Sequence, residues 1–308
     1  TYMGPREEPP TFPDLEWAHL PVDAKYIEKQ YLECNYAQGM EGDLDPSHIS
    51  FLHAPLDPQL SAKDANVDPR LLTIERERVF QREDKHPLIM VLENEHGLLL
   101  GARREADPEH YYWRMTHLRM PFYAFVPGVV GSPMHCNVWQ PIDGENTMIW
   151  RIYYWPDWRP WTEEERERKR KAGAQYLPPT TEPGGRWMPT LNRSNDYGID
   201  YEVQRTTMFS GISGIWLQDR AATEGMGPLM DRTKEHLGPS DVAVIQMRRM
   251  LIRSARALQK DGSVPPGVDS GDTPVSVPPA ISLNPRSQTW ADLAEQHAPR
   301  RVAVPAGD

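Results

Sequence analysis

A chain of 308 residues, 39% hydrophobic and 25% charged, carries enough apolar material for a sizeable core and too much of it for intrinsic disorder, so one large domain is expected. Its formal net charge of −10, without a basic stripe, argues against a nucleic-acid partner, because phosphates are met by clustered Lys and Arg. No apolar run approaches a membrane-crossing length and the opening TYMGPREEPP lacks a signal-peptide pattern, which makes the cytoplasm the expected compartment.

The first residues are Pro-rich and lack an initiating Met, and read as a cut or a join. From Lys25 to Cys34, KYIEKQYLEC is rich in β-branched and aromatic residues and reads as a strand. LLTIERERVFQRE, residues 71–83, alternates in part between apolar and charged and is expected to begin a series of hairpins. LIMVLENEHGLLLGARRE turns at Glu95–Gly97, HYYWRMTHLRMPFYAFV is long and aromatic, and HCNVWQPIDGENTMIWRIYYWP turns at Asp143–Asn146. Roughly seven consecutive hairpin-linked strands make an antiparallel sheet. The period then changes. TEEERERKRKAGAQY, with Thr162 as N-cap and acids in its first turn, reads as a solvated helix whose charges ask for no functional role. GIWLQDRAATEG and SDVAVIQMRRMLIRSARALQKDG are helical, the second capped by Ser240 and stopped by Gly262. Strands followed by helices place the chain in the α+β class. Residues 263–308, rich in Pro, Ser and Gly, suggest an extended arm or partial disorder. The two cysteines, Cys34 and Cys136, are expected as buried free thiols.

The stretch EGDLDPSHISFLHAP, residues 41–55, gathers three carboxylates and two histidines. Pro46 biases Asp45 away from the α region and favours itself as a first helical residue, so Asp45 is expected to cap a helix that carries His48 in its first turn and His53 near its end. Residues five apart on an α-helix point about 140° from each other, against about 40° for residues four apart. A metal shared by both histidines therefore requires a widened turn, such as a π-bulge. The spacing also departs from the H-E-x-x-H pattern of zinc peptidases. For two histidines alone, a polar surface residue at His48 and a hydrogen-bonded core residue at His53 is the favoured reading, because ligand spacing by itself matches by chance. Asp45 favours the metal, because a ligating imidazole passes its other N–H to an acceptor.

NYAQGMEGDLDPSHISFLH, residues 35–53, resembles the mononuclear-iron motif of Rieske non-haem iron ring-hydroxylating oxygenases. The likeness is closest to the phthalate dioxygenase branch, with its aromatic-acid dioxygenases and O-demethylases. It continues through YYWRMTHLRMPFY, NRSNDYGIDYEVQRT and GIWLQDRAATEGMGPLMDRTKEHLGPSDVAVIQMRRMLI, and covers most of Pro21–Arg253. It implies a helix-grip (START-like) catalytic domain over residues 21–262, a curved antiparallel sheet packed with helices. It also implies Fe(II) held by His48, His53 and Asp219, two imidazoles and one carboxylate on one face, with open positions for O2. By the same resemblance Asp45 bridges His48 to a histidine ligand of a [2Fe-2S] cluster on a neighbouring subunit of a trimer or trimer multiple. Asn35 and Glu41 would support the iron helix. A proline follows Asp45 where relatives often carry a small polar residue, a departure that bears on local helix geometry. The C-x-H and C-x-x-H pairs of a Rieske domain are absent. Residues 1–20, beginning TYMGP, resemble the seam after such a domain, so the chain is expected to be the catalytic part of a longer subunit that draws electrons from NAD(P)H through a reductase.

Arg114, on an apolar strand, is the first candidate to bind an aromatic carboxylate substrate in bidentate fashion, and Arg151 the second. Pairing of Arg114 with an internal acid is an equal alternative, since buried charges are usually paired. Two other classes stay open: a helix-grip small-molecule carrier without a catalytic metal, and a zinc hydrolase.

Overall fold

The strand-like runs between residues 25 and 154 assemble into one antiparallel sheet in the computed structural model, which describes residues 7–9, 14–57, 72–268 and 275–301. A short helix α1 (Glu16–His19) leads into β1 (Lys25–Leu32), and α2 (Tyr36–Asp43) and α3 (Ile74–Glu83) follow. Then come β2 (Leu88–Asn94), β3 (Gly97–Glu105), β4 (His110–Arg119), β5 (Tyr123–Val126), β6 (Met134–Pro141) and β7 (Thr147–Tyr154). Each pairs with the next, and β1 closes the order by lying against β7 with Lys25 opposite Tyr154, giving β1-β7-β6-β5-β4-β3-β2. Helices α4 (Glu163–Ala172), α5 (Tyr201–Thr206), α6 (Ile215–Gly225) and α7 (Val242–Asp261) follow. The chain is α+β, an eight-stranded antiparallel sheet packed with helices. Among the described residues no helix is long and apolar enough to cross a membrane.

Period-two alternation sends neighbouring side chains to opposite faces. Leu98, Leu100, Ala124, Trp139 and Ile149 face α2 and α7, which contribute Met40, Val244, Met247 and Met250 to one core. Tyr123, Phe125, Val138, Ile152 and Tyr154 face the other way, onto Leu15, Trp17 and Leu20. Leu15, Trp17 and Leu20, before β1, are thus part of this second core. Cys34 and Cys136 are free and buried in these two different cores.

Four expectations are corrected. Residues 74–83 form α3, not a strand: the Thr73 side chain accepts from the Arg76 N–H, Glu75 and Glu77 stand in the first turn, and the buried Glu77 and Phe80 share one helical face. The tail beyond Gly262 is folded where it is described. Here β8 (Val275–Ser276), β9 (Ala280–Pro285), α8 (Trp290–Gln296) and β10 (Arg300–Arg301) follow, with β9 alongside residues 110–115 of β4, a stretch the short β5 leaves unpaired. The α8 helix covers Leu99, Trp113 and Met115, and Trp290 sits on Gly101, where a Cβ would lie 2.3 Å from its ring. Helix α7 is capped at Asp241, with Ser240 in a preceding 3-10 turn; its stop at Gly262 stands, at φ 77°. Finally, no helix runs from Pro46 to His53, as described next.

Candidate metal centre

Helix α2 stops at Asp43, and the chain turns where Asp45 Oδ1 accepts the Ser47 N–H at 2.7 Å. This side-chain turn replaces the expected helix cap, because an Asp before proline closes a local loop as readily as it starts a helix. A 3-10 turn over His48–Ser50 follows, and the Leu52 N–H donates to the His48 carbonyl at 2.7 Å. Arg104 of β3, fully buried, holds the segment on the sheet through Pro46 O at 2.7 Å, Ser50 Oγ at 3.3 Å and Asp84 O at 2.9 Å. The irregular turn brings the two imidazoles together, with ring centroids 5.0 Å apart and planes at 82°. A regular helix would have sent them apart.

Asp219 arrives on α6. Its Oδ1 lies 3.1 Å from His53 Nε2 and 3.6 Å from His48 Nε2, and one ligand atom from each of the three residues falls within 4.8 Å of the others. Donors about 2.1 Å from one metal at right angles stand about 3 Å apart, so the set is close to that required of a facial triad. Gln38 of α2 ties the elements together. Its amide donates to Thr223 O and Gly227 O, both at 2.9 Å, and accepts the Met230 N–H at 3.0 Å.

Both imidazoles are set to present Nε2. His48 Nδ1 donates to the Asp45 carbonyl at 2.5 Å, and His53 Nδ1 to Gln218 Oε1 at 2.6 Å. The Gln218 amide is itself oriented, because its nitrogen donates to Ile212 O at 2.8 Å. Such acceptors select the tautomer and direction of a ligating histidine. Burial opposes a charge on His48, but the hydrogen bonds to Asp45 and the charges of Asp219 and Asp45 outweigh it and raise its pKa. The two carboxylates thus favour positive charge at this point of the cavity lining.

The triad opens on a cavity of about 860 Å³. Asp43, Arg114, Asn137, Trp139 and Arg151 also line it. Burial pushes the Asp43 carboxyl up to about 7, against hydrogen bonds from Trp139 Nε1 at 2.6 Å and Asn137 Nδ2 at 2.9 Å. Arg114 meets an internal acid: Nη1 lies 2.6 Å from Glu77 Oε1, and Nη2 donates to Pro127 O at 2.6 Å. Arg151 pairs with Glu28 at 3.2 Å across β1 and β7, and its guanidinium lies 4.4 Å from the Trp216 ring centroid. Of the supporting residues, Asn35 caps α2 by accepting the Ala37 N–H at 3.0 Å, and Glu41 pairs with Arg232 and Arg248. Gln218 and Glu77 were missed in the sequence. Gln218 adjoins Asp219 in LQDRA, but nothing in that order tells which side chain reaches His53.

A family model described as "LigXa C-terminal domain like" matches residues 1–299. The chain belongs to this family, the catalytic domain of Rieske oxygenases. This Rieske oxygenase catalytic domain is 31% identical over 96% of its length to the 3-chlorobenzoate-3,4-dioxygenase oxygenase subunit of Comamonas testosteroni, and covers 68% of that protein. It is 30% identical over 84% of its length to the phthalate 4,5-dioxygenase oxygenase subunit of Pseudomonas putida, and covers 57% of it. A solved dicamba monooxygenase bound to dicamba aligns over 79% of the domain and 61% of its own chain, at 11% identity and a TM-score of 0.43. The domain spans 50 to 68% of the length of the curated relatives it matches.

Proposed function

We propose that the domain is the oxygenase component's catalytic unit, which uses O2 at a mononuclear Fe(II) held by His48, His53 and Asp219 to hydroxylate or O-demethylate an aromatic carboxylate. One observation carries the reading: two imidazoles, each fixed with Nε2 free, converge with one carboxylate in the lining of a cavity. When bound, the iron supplies O2 activation through open coordination positions. The chain's own residues do the rest. Gln218 and the Asp45 carbonyl hold the Nδ1 protons of the two imidazoles and so keep Nε2 directed at the metal. Leu32, Ile49 and Trp139 give the cavity an apolar lining that excludes water from an aromatic ring. Two relatives, whose names carry 3-chlorobenzoate and phthalate, support an aromatic acid as substrate. A third, named 5,5'-dehydrodivanillate O-demethylase oxygenase subunit, supports the alternative outcome of demethylation.

Electrons are proposed to come from NAD(P)H through a reductase and a Rieske [2Fe-2S] centre outside this chain, within a trimer or trimer multiple of a cytoplasmic enzyme. Asp45 suits the bridge to that centre because its Oδ2, 3.6 Å from His48 Nδ1, belongs to a side chain 30% exposed. The decisive experiment is anaerobic metal reconstitution of the full-length subunit with its reductase, followed by O2 uptake with 3-chlorobenzoate or phthalate. Stoichiometric Fe(II), lost on His48→Ala or Asp219→Ala, together with substrate-dependent O2 uptake is the expected result. Retained zinc with O2-independent cleavage would establish the hydrolase, and failure to bind any metal the carrier.

A further inference from the structure

One wall of the cavity carries alternating cations and rings. Trp216 precedes Asp219 by one turn of α6, so the two lie on the same helical face. Arg151 stacks on Trp216, and its guanidinium lies 5.3 Å from the Tyr153 ring centroid. Tyr153 shares the Arg151 face of β7, two residues on, and Lys169 of α4 brings its Nζ to 3.5 Å from the centre of the same ring. The wall thus runs from the triad to α4. Its charges do not cancel. Glu77 neutralises Arg114 and Glu28 neutralises Arg151. Glu165, one turn before Lys169, is bound by both terminal nitrogens of Arg159. Among the described residues no carboxylate oxygen lies within 4.0 Å of Lys169 Nζ. His135, across from Tyr153 on β6, stays uncharged, because burial and the charges of Arg151, Lys169 and Arg114 lower its pKa to about 3. Lys169 is thus a cation of this wall with no carboxylate oxygen in contact, since Glu28, the acid that acts on it, is already paired with Arg151.

We infer that Lys169, with Arg151 behind it, is the anion-binding end of the cavity and takes the carboxylate of the substrate, thereby setting which part of the ring faces His48, His53 and Asp219. The inference rests on the aromatic-acid oxygenase reading and names the residue that selects the acid. A lysine charge held in a partly desolvated wall without an acid partner is satisfied when an anion enters, and a charge-assisted hydrogen bond there favours a carboxylate over its neutral amide by about ten- to a hundredfold. Burial and the neighbouring Arg151 lower the Lys169 ammonium to about 8. The groups facing it are Arg151 and Tyr153 from β7, His135 from β6 and Glu28 from β1. With His135 neutral, two groups of the cavity titrate near neutrality, the Asp43 carboxyl at about 7 and the Lys169 ammonium at about 8, and the Lys169 cation is present below its own value.

The test is anaerobic calorimetry of the iron-loaded full-length subunit with benzoate, 3-chlorobenzoate and the uncharged benzamide. Lys169→Met should weaken both acids about tenfold or more while leaving benzamide and iron content unchanged, and Lys169→Arg should restore most of the loss. Benzoate affinity of the unaltered subunit should fall as pH rises through about 8, and Lys169→Arg should abolish this fall while leaving the separate one near 7 that ionisation of Asp43 imposes. Unchanged benzoate affinity in Lys169→Met, or equal loss for benzoate and benzamide, would overturn the inference. Absence of iron in the unaltered subunit would instead remove the oxygenase reading itself.

Discussion

His53 is oriented by the neutral amide of Gln218, and His48 by a main-chain carbonyl. Of the two acceptors, Gln218 is the one a substitution can remove. Gln218→Leu should lower Fe(II) affinity by about ten- to a hundredfold with the fold intact, measured by anaerobic titration, while Gln218→Glu, which still accepts, keeps most of it. Arg114 gives a prediction of a different kind. Its side chain is 8% exposed and that of Glu77 1%, so Arg114→Met strands a buried carboxylate and should cost about 3–5 kcal/mol in urea unfolding. Adding Glu77→Gln to that variant should recover much of the loss. A stability unchanged by Arg114→Met would mean that the pair contributes nothing to folding and that Arg114 is free to serve substrate.

The charge run of α4 reads in the sequence as a solvated face, and most of it is one. Thr162 is the expected N-cap and also forms a capping box with Glu165, accepting its N–H while the Glu165 side chain accepts from the Thr162 N–H. Thr162→Ala should cost about 1 kcal/mol in thermal or urea unfolding. Lys169, however, turns onto the cavity, which the run's composition does not reveal, because a helix places each residue by angle and only the neighbouring β7 decides which angle is covered. The tail shows the same dependence. Its Pro and Gly content suggests an arm, yet Trp290 stacks on Trp113 with ring centroids 6.0 Å apart. Trp290→Ala should therefore destabilise the whole domain by about 3 kcal/mol in the same unfolding experiment, whereas a loose arm would leave stability untouched.

The proposed metal site joins the turn after α2 to α6, two parts of the chain far apart in sequence, so metal occupancy and folding are expected to be linked. A ligand present at about a hundred times its Kd adds about 2.7 kcal/mol to the folded state. Anaerobic Fe(II) should raise the melting temperature and a chelator lower it, and Asp219→Ala should abolish both shifts. A melting temperature indifferent to Fe(II) in the unaltered protein would contradict the assigned ligands. The cavity beyond the triad is bounded by the sheet face of β4, β6 and β7 on one side and by α3, α4 and α6 on the other. The cavity is thus lined by elements drawn from most of the chain.

Although the partial alternation of residues 71–83 misled, strand-like composition and the turns at Glu95–Gly97 and Asp143–Asn146 were enough for the antiparallel sheet and the α+β class, because pairing of consecutive hairpins is a local matter. Thr162 and Gly262 were readable for the same reason: a cap acts within one turn. The motif around His48 and His53, together with LQDRA, pointed to the ligands through resemblance, not through spacing. Tertiary structure decided how they meet. A 3-10 turn held by Arg104, in place of the expected helix, directs both imidazoles at Asp219. It also decided that Arg114 is paired with Glu77 and that Lys169 lines the cavity without a carboxylate oxygen in contact, since long-range charge pairing depends on distances that residue order does not encode.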